Sequence, residues 1–382
     1  SQPDYWEEAE RIVGDAPSTL RLMLPEMYLD KPGEAERIAA INATMDRYMA
    51  DGTLESRGEG FVFVRRTVDG KTRSGLVVAL DLEQYDYSRG SETLIRASEG
   101  TIVERIPPRL RIRKDAALEL PHILVLIDDP QHTVIEPLAD AATAGNRLYN
   151  FELMLGGGRI EGYMVRDAGR IQGVLRALEA LADPTRFAEQ YGADKKPMLF
   201  AMGDGNHSFA TAKANWEALK QTLSPAEQEN HPARYALVEL ENIHDEGILF
   251  EPIHRVLFNL DPEKALRWLL ERLALDNGAC KMNRFATKEE CAASLKLEVG
   301  TLQNALDAML KAFPEATIDY IHGADVVYDL GTKPGNLGFL LPPMAKSAFF
   351  PTVVFDGALP RKTFSMGEAN EKRYYLECRK IK

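Results

Sequence analysis

The sequence predicts a mixed α+β fold of two domains, and three observations carry that reading. Short apolar runs bounded by Gly, Pro and Asx residues alternate with stretches whose apolar residues recur every three or four positions. At 382 residues, with 45% hydrophobic and 27% charged content, the chain has the composition of a globular protein with room for two cores. Its character changes after Glu251-Pro252-Ile253-His254-Arg255, where long helical patterns replace closely spaced strands. The spacing therefore predicts domains at 1–255 and 256–382, the second smaller and also α+β.

In chain order, Ile38, Ile41, Met45, Tyr48 and Met49 predict a helix over 34–49. Strands at 61–66 and 76–80 flank Val68-Asp69-Gly70-Lys71, in which Asp-Gly signals a tight hairpin turn. The run 123–127 reads as a buried strand, with a helix expected from Pro130 onward. Strands at 149–155 and 160–165 bracket Gly156-Gly157-Gly158. No G-K-[ST] follows those glycines, so they read as a hairpin and not as a Walker A loop. Ile171, Val174, Leu175, Leu178 and Leu181 predict a helix. Beyond residue 256 the patterns predict helices at 262–275 and 288–313, then strands at 326–330 and 337–341.

The chemistry is expected at Gly203-Asp204-Gly205-Asn206-His207-Ser208, between an apolar strand at 197–202 and an amphipathic helix. Phe209, Ala212, Trp216 and Leu219 form one helical stripe, and His207 and Thr211 fall opposite it. Glycines let the backbone turn sharply, and a helix start offers unpaired amides to an anion. Asp204 and His207 are the catalytic candidates. Gly203, Gly205, Asn206, Ser208 and Thr211 are the candidates for holding a phosphate-bearing ligand. The plainer alternative is an ordinary Asx-capped helix with a structural histidine.

Two further groups attract attention. Arg109-Leu110-Arg111-Ile112-Arg113 has a period of two, which in an extended chain would aim three guanidiniums to one side as a seat for phosphate. The alternatives are a solvated, salt-bridged face or a contact between subunits of a homo-oligomer. At the end of the strand over 123–127, Asp129 before Pro130 reads as a helix cap, and Asp128 as a metal-ligand candidate.

Composition excludes other classes. A net charge of −12 argues against nucleic acid or an anionic membrane as partner. No apolar run approaches the roughly 20 residues a membrane span needs, and the first residues carry no signal-peptide pattern. Cys280, Cys291 and Cys378 lack metal-ligand spacing and read as reduced thiols in the cytoplasm. No structural metal is expected, while Mg²⁺ held by carboxylates and phosphate fits the composition. The chain starts without Met, and an upstream segment is expected.

Several dispersed segments together resemble one family. Asp204-Gly205-Asn206-His207 before a helix, Glu99-Gly100 through Pro107, Pro121-His122 through Pro130, Pro252-Ile253-His254-Arg255, and Leu359 through Gly367 are similar to domain-of-unknown-function family 1015. More distantly, the strand–Asp-Gly–helix element resembles the ParB/sulfiredoxin superfamily, which binds nucleotides at that helix start and includes free-serine kinases. The resemblance implies a ParB/sulfiredoxin-like N-terminal part. It also implies ATP or ADP as cofactor and a phosphotransferase acting on a small amino-acid-like alcohol such as serine. A nucleotide- or metabolite-sensing protein and a phosphomonoester hydrolase are the alternatives. The common Asp-Gly-His-His-Arg form is here Asp-Gly-Asn-His-Ser, so an arginine contact to phosphate is missing from the motif, and Arg109–Arg113 are expected to supply it.

Overall fold

A computed structural model describes residues 3–88, 90–275, 299–367, 369–372 and 376–382. Its elements in chain order are α1 (Pro3–Val13), α2 (Glu34–Ala50), β1 (Phe61–Val68), β2 (Lys71–Asp81), β3 (Ile95–Arg96), α3 (Ile106–Arg113), β4 (Leu118–Glu119) and β5 (Leu124–Ile127). There follow β6 (Arg147–Glu152), β7 (Arg159–Val165), α4 (Ala168–Leu181), α5 (Pro184–Tyr191), β8 (Phe200–Asp204), α6 (Asn206–Lys220), α7 (Pro225–Glu229) and β9 (Tyr235–Asn242). The remainder comprises β10 (Phe250–Phe258), α8 (Pro262–Leu275), α9 (Val299–Ala312), β11 (Thr317–His322), α10 (Ala324–Gly331), β12 (Leu337–Phe339), α11 (Lys346–Asp356), β13 (Phe364–Met366) and β14 (Arg379–Lys380). The chain is α+β, as its patterning predicts.

Two compact units share these elements: residues 1–248 with 353–357 and 368–382, and residues 249–352 with 358–367. The expected second domain of 256–382 differs from this division, because the last residues return to the first unit. There β14 pairs with β4, and Arg379 Nε donates to Glu119 Oε1 at 2.7 Å. No local pattern announces such a return.

The first unit is built on an eight-stranded sheet in the order β3-β8-β5-β9-β2-β1-β7-β6. Both hairpins form where expected. Val68 pairs with Lys71 across Asp69 and Gly70, whose φ angles of 49° and 76° are the left-handed pair that a two-residue turn between twisted strands requires. One sheet face carries the main core, including Phe63, Leu76, Val125, Met202 and Leu240, which packs with Phe209 and Trp216 of α6. Alternation sends the neighbouring residues to the other face. There Val64, Val77 and Ile160 pack with Ala9 and Val13 of α1.

That second face turns charged toward β9. Arg73 Nε lies 2.8 Å from Glu241 Oε1, and Arg73 also approaches Glu239 and Glu371 at 3.8 and 3.7 Å. Gly75 provides the room: a Cβ there would collide with the Glu239 carboxylate. Burial is the main reason that the Glu241 carboxyl is raised to about 8; Arg73 opposes it, while Glu239, Asp245 and Glu371 reinforce it.

In the second unit, β10 is central. Its first half pairs with β13 and its second half with β11 and β12. Leu257 and Leu260 pack with Leu269 of α8 and with Leu302, Leu306 and Met309 of α9.

Four local expectations give way. Arg109–Arg113 is helical, not extended: Pro107 and Pro108 lie in the first turn, where a fixed φ and a missing N–H are tolerated, and the helix packs on α6. No helix starts at Pro130; Asp129 instead accepts the Thr133 and Val134 amides at 2.5 and 2.9 Å and closes a turn. The expected strand at 326–330 is α10, which lies so close to β12 that Gly331 and Gly338 leave no room for Cβ atoms. Finally, β8 extends through Gly203 and Asp204, which shortens the loop to Gly205. The early part of the expected helix at 288–313, together with Cys280 and Cys291, lies outside the described residues.

The buried carboxyl predicts a pH dependence. Because the folded value of Glu241 exceeds the unfolded value near 4.5, stability falls as pH rises through the interval up to about 8. Thermal midpoints measured from pH 5 to 9 should decline less in Glu241→Gln than in the parent. An identical slope in both proteins would remove Glu241 from that role.

Candidate functional site

The strand β5 organises the site. It runs antiparallel to β8 on one side, with Leu124 opposite Asp204, and parallel to β9 on the other, with Leu124 opposite Glu239. The β5–β8 register slips at Gly203, between the Val125–Met202 and Leu124–Asp204 pairs. Such a bulge inserts one extra residue and re-aims the next side chain. It brings Asp204 level with Leu124 and Glu239, on the charged face and away from the Met202 core.

Gly205 then begins α6 at φ +81°, and a Cβ on it would collide with the main-chain carbonyl of His122. Only glycine satisfies both conditions. As N-cap it offers no side chain to the helix start, so the Asx cap of the plainer alternative is absent. The Asp204 Oδ1 atom accepts the Gly205 amide at 2.7 Å. The amides of the first turn precede the first helical bond, from Phe209 N to Gly205 O.

Asp204 is not a free carboxylate. Lys372 Nζ stands 2.7 Å from its Oδ2 and His122 Nε2 3.3 Å from the same atom. Burial pushes its pKa up, but the His122 contact and the Lys372 charge overcome this and hold the carboxyl far below its usual range. A carboxylate so stabilised is a poor proton acceptor and already has its counterions. Asp204 therefore anchors Lys372 and His122, two groups that the loop motif alone does not indicate.

His207 and Asn206 are similarly committed. His207 Nε2 accepts the Ile102 amide at 3.2 Å. Asn206, buried, accepts the Ser98 amide through Oδ1 and donates to Ser98 Oγ through Nδ2, both at 3.2 Å. The first turn of α6 thus pins both ends of Glu99-Gly100-Thr101, a span at the same end of the sheet because β3 runs parallel to β8. Thr211 corrects the helical-phase argument: it is buried, and its hydroxyl donates to His207 O at 2.7 Å. The helix is covered beyond its apolar stripe because α3 also packs on it. Ser208 is half-buried, and its hydroxyl has no partner among the described residues.

The three arginines of α3 do not form one seat. Arg109 pairs with Glu26 at 2.7 Å; Arg111 pairs with Asp30 and Glu34 at 2.6 and 2.8 Å. Arg113 meets Glu119 at 2.6 Å, on the carboxylate that also takes Arg379. Helical geometry sets Arg111 roughly 200° from each of the others. These pairs answer the protein's own acids, the plainer reading of the segment.

Asp128 also leaves the site. It follows β5 at the end opposite Leu124, about 13 Å along the strand from Asp204 at roughly 3.3 Å per residue. Its Oδ1 is 2.7 Å from His244 Nε2, and its Oδ2 accepts from the Tyr191 hydroxyl at 3.5 Å. Among the described residues, no group of three or more His, Cys, Asp or Glu side chains is placed to hold a metal ion. Burial pushes the Cys378 thiol up to about 12, which leaves it inert. No helix among the described residues is long and apolar enough to cross a membrane.

Comparison with known proteins gives one family. "Protein of unknown function (DUF1015)" matches residues 1–380. No curated protein matches the sequence. Among solved structures, a mutant free serine kinase in complex with ADP has a TM-score of 0.38 and 8% identity over 76% of this chain and 87% of that one. SbnI with C-terminal truncation from Staphylococcus aureus has a TM-score of 0.33 and 9% identity over 77% and 83%.

The pinned span yields a prediction. Replacing His207 with Ala removes its hydrogen bond to the Ile102 amide, worth about 0.5–1.5 kcal/mol, and should free the loop it holds. Hydrogen exchange at the Ile102 amide should accelerate by roughly tenfold, the equivalent of about 1.4 kcal/mol. Unchanged exchange there would mean that the loop is held by other contacts.

Proposed function

The chain belongs to the DUF1015 family, and from that premise we propose that it binds a nucleotide or phosphorylated metabolite at the start of α6. The observation that carries the proposal is the Lys372 ammonium, fixed by Asp204 beside an uncapped helix start whose backbone only Gly205 permits. Helix-start amides and a fixed ammonium together supply partial and full positive charge for phosphate oxygens. The half-buried Ser208 hydroxyl adds a donor in the same turn. Mg²⁺ would arrive with the nucleotide, because Asp204 is already neutralised and Asp128 lies at the other end of β5.

In its more specific form, the proposal is transfer of the terminal phosphoryl group to the hydroxyl of a small amino-acid-like alcohol such as serine. Phosphoryl transfer depends mainly on positioning and charge neutralisation, which this arrangement favours. A nucleotide sensor without turnover is the second reading. The low pKa of Asp204 favours it, since that group makes a weak base. His207 does not fill the gap: in the neutral ring, its lone pair at Nε2 is spent on the Ile102 amide.

Titration with ADP and with ATP–Mg²⁺ tests the binding reading. Saturable binding is expected, and Lys372→Ala should weaken it by at least roughly tenfold, about 1.4 kcal/mol. Phosphorus NMR with ATP–Mg²⁺ and serine then separates the two forms, phosphoserine signals marking the kinase. Binding that is equally strong in Lys372→Ala would remove the anion site from the start of α6.

A further inference from the structure

The carboxyl ends of β5 and β9 carry a second group of polar side chains, independent of the α6 site. These strands are parallel neighbours and end level, with Ile127 opposite Asn242. The loops leaving them therefore emerge side by side, where crevices in α/β sheets commonly take ligands. The first loop brings Asp128, His132 and Glu136; the second brings His244.

Each histidine is oriented by a carboxylate. His244 Nε2 lies 2.7 Å from Asp128 Oδ1, and His132 Nδ1 lies 2.7 Å from Glu136 Oε1. Hydrogen-bond accounting settles the His132 tautomer. Asn242 Nδ2 has two protons, one on Asp129 O at 2.9 Å and the other on Glu136 Oε1 at 2.8 Å. It has none left for His132 Nδ1, 3.3 Å away, so that nitrogen carries its own proton to Glu136. In the neutral rings, the lone pairs then sit on His132 Nε2 and His244 Nδ1, neither of which has a partner among the described residues. Both side chains are open to solvent, 47% and 39% exposed. The ring centres are 6.5 Å apart. At metal–nitrogen distances of about 2.0–2.1 Å and a tetrahedral angle, two imidazoles on one ion place their centres roughly 5–5.5 Å apart, so these two exposed rings must close by about 1 Å to share one. His132 is also held at φ +54°, an uncommon backbone for a residue other than glycine.

We propose that His132 and His244 form a two-histidine site for a first-row divalent cation of the zinc class, with Asp128 and Glu136 as the carboxylates that fix the ligand rings. Imidazole nitrogens backed by carboxylates are the characteristic donors for such ions. Two protein ligands leave the remaining positions to water or to a donor atom of a bound molecule. The site does not depend on the nucleotide reading.

The test is calorimetric titration of the intact protein with Zn²⁺ alone, in a non-chelating buffer. One saturable site with Kd on the order of 10 µM is expected. His132→Ala and His244→Ala should each weaken it by at least about tenfold, and Asp128→Asn by a smaller factor. Nitrogen-15 spectra of histidine in the unsubstituted protein provide a readout independent of variant folding. Zn²⁺ should shift His132 Nε2 and His244 Nδ1 and leave His254 unmoved. Binding that survives both alanine substitutions, shifts confined to other histidines, or no saturation below millimolar Zn²⁺ would each overturn the proposal.

Discussion

The contact on which the α6 site depends is the passage of Gly205 against the carbonyl of His122. Backbone lies on backbone there, in a left-handed conformation, and no side chain can intervene. That contact sets where α6 starts relative to β5, and so what its first turn can reach. Asn206 and His207 reach back to the span after β3, while Asp204 faces the opposite way. The bulge at Gly203 makes this division. Without the extra residue, strict alternation would turn Asp204 toward the apolar core. With it, the carboxylate meets Lys372 and His122 on the charged face.

That charged face also explains why the chain end returns to the first unit. Buried carboxylates require compensating charge or hydrogen bonds, because desolvation otherwise makes them costly. Glu239 and Glu241 share Arg73, Glu119 takes both Arg113 and Arg379, and Asp204 takes Lys372. Glu371 approaches Arg73 from the same C-terminal stretch, and Tyr149 donates its hydroxyl to Glu377. Of these last residues, Lys372 and Arg379 bring the compensating cations to carboxylates of the first 248 residues. One physical requirement thus links the closing of the fold to the composition of the α6 site.

The direction of β5 separates the chemistry. Its first residue is level with Asp204 and the start of α6; beyond its last residue lies Asp128, with two carboxylate-oriented histidines. Residues that look adjacent in a list of polar candidates are thereby divided between the two ends of one short strand. An ion held near Asp128 would be too far from a phosphate at α6 to touch it, and the two ends can act on different ligands.

The sequence by itself determined the elements whose causes are local. The helix at α2 follows from apolar spacing, the β1–β2 hairpin from Asp69-Gly70, and the β6–β7 hairpin from its three glycines. It also located the strand–turn–helix element and the need for Gly205. Tertiary structure decided what those residues do. Pro107-Pro108 suits both an extended segment and a helix start, and packing of α3 on α6 selected the helix. The period-two arginines therefore never lined up. Helical phase placed Thr211 away from the apolar stripe, but it could not reveal the element packed on the other side. The roles of Asp204 and His207 rested on Lys372, His122 and Ile102, partners 168, 82 and 105 positions away in the chain. A motif read locally reports which groups are present; the pairing of charges across the fold sets which of them remain available for chemistry.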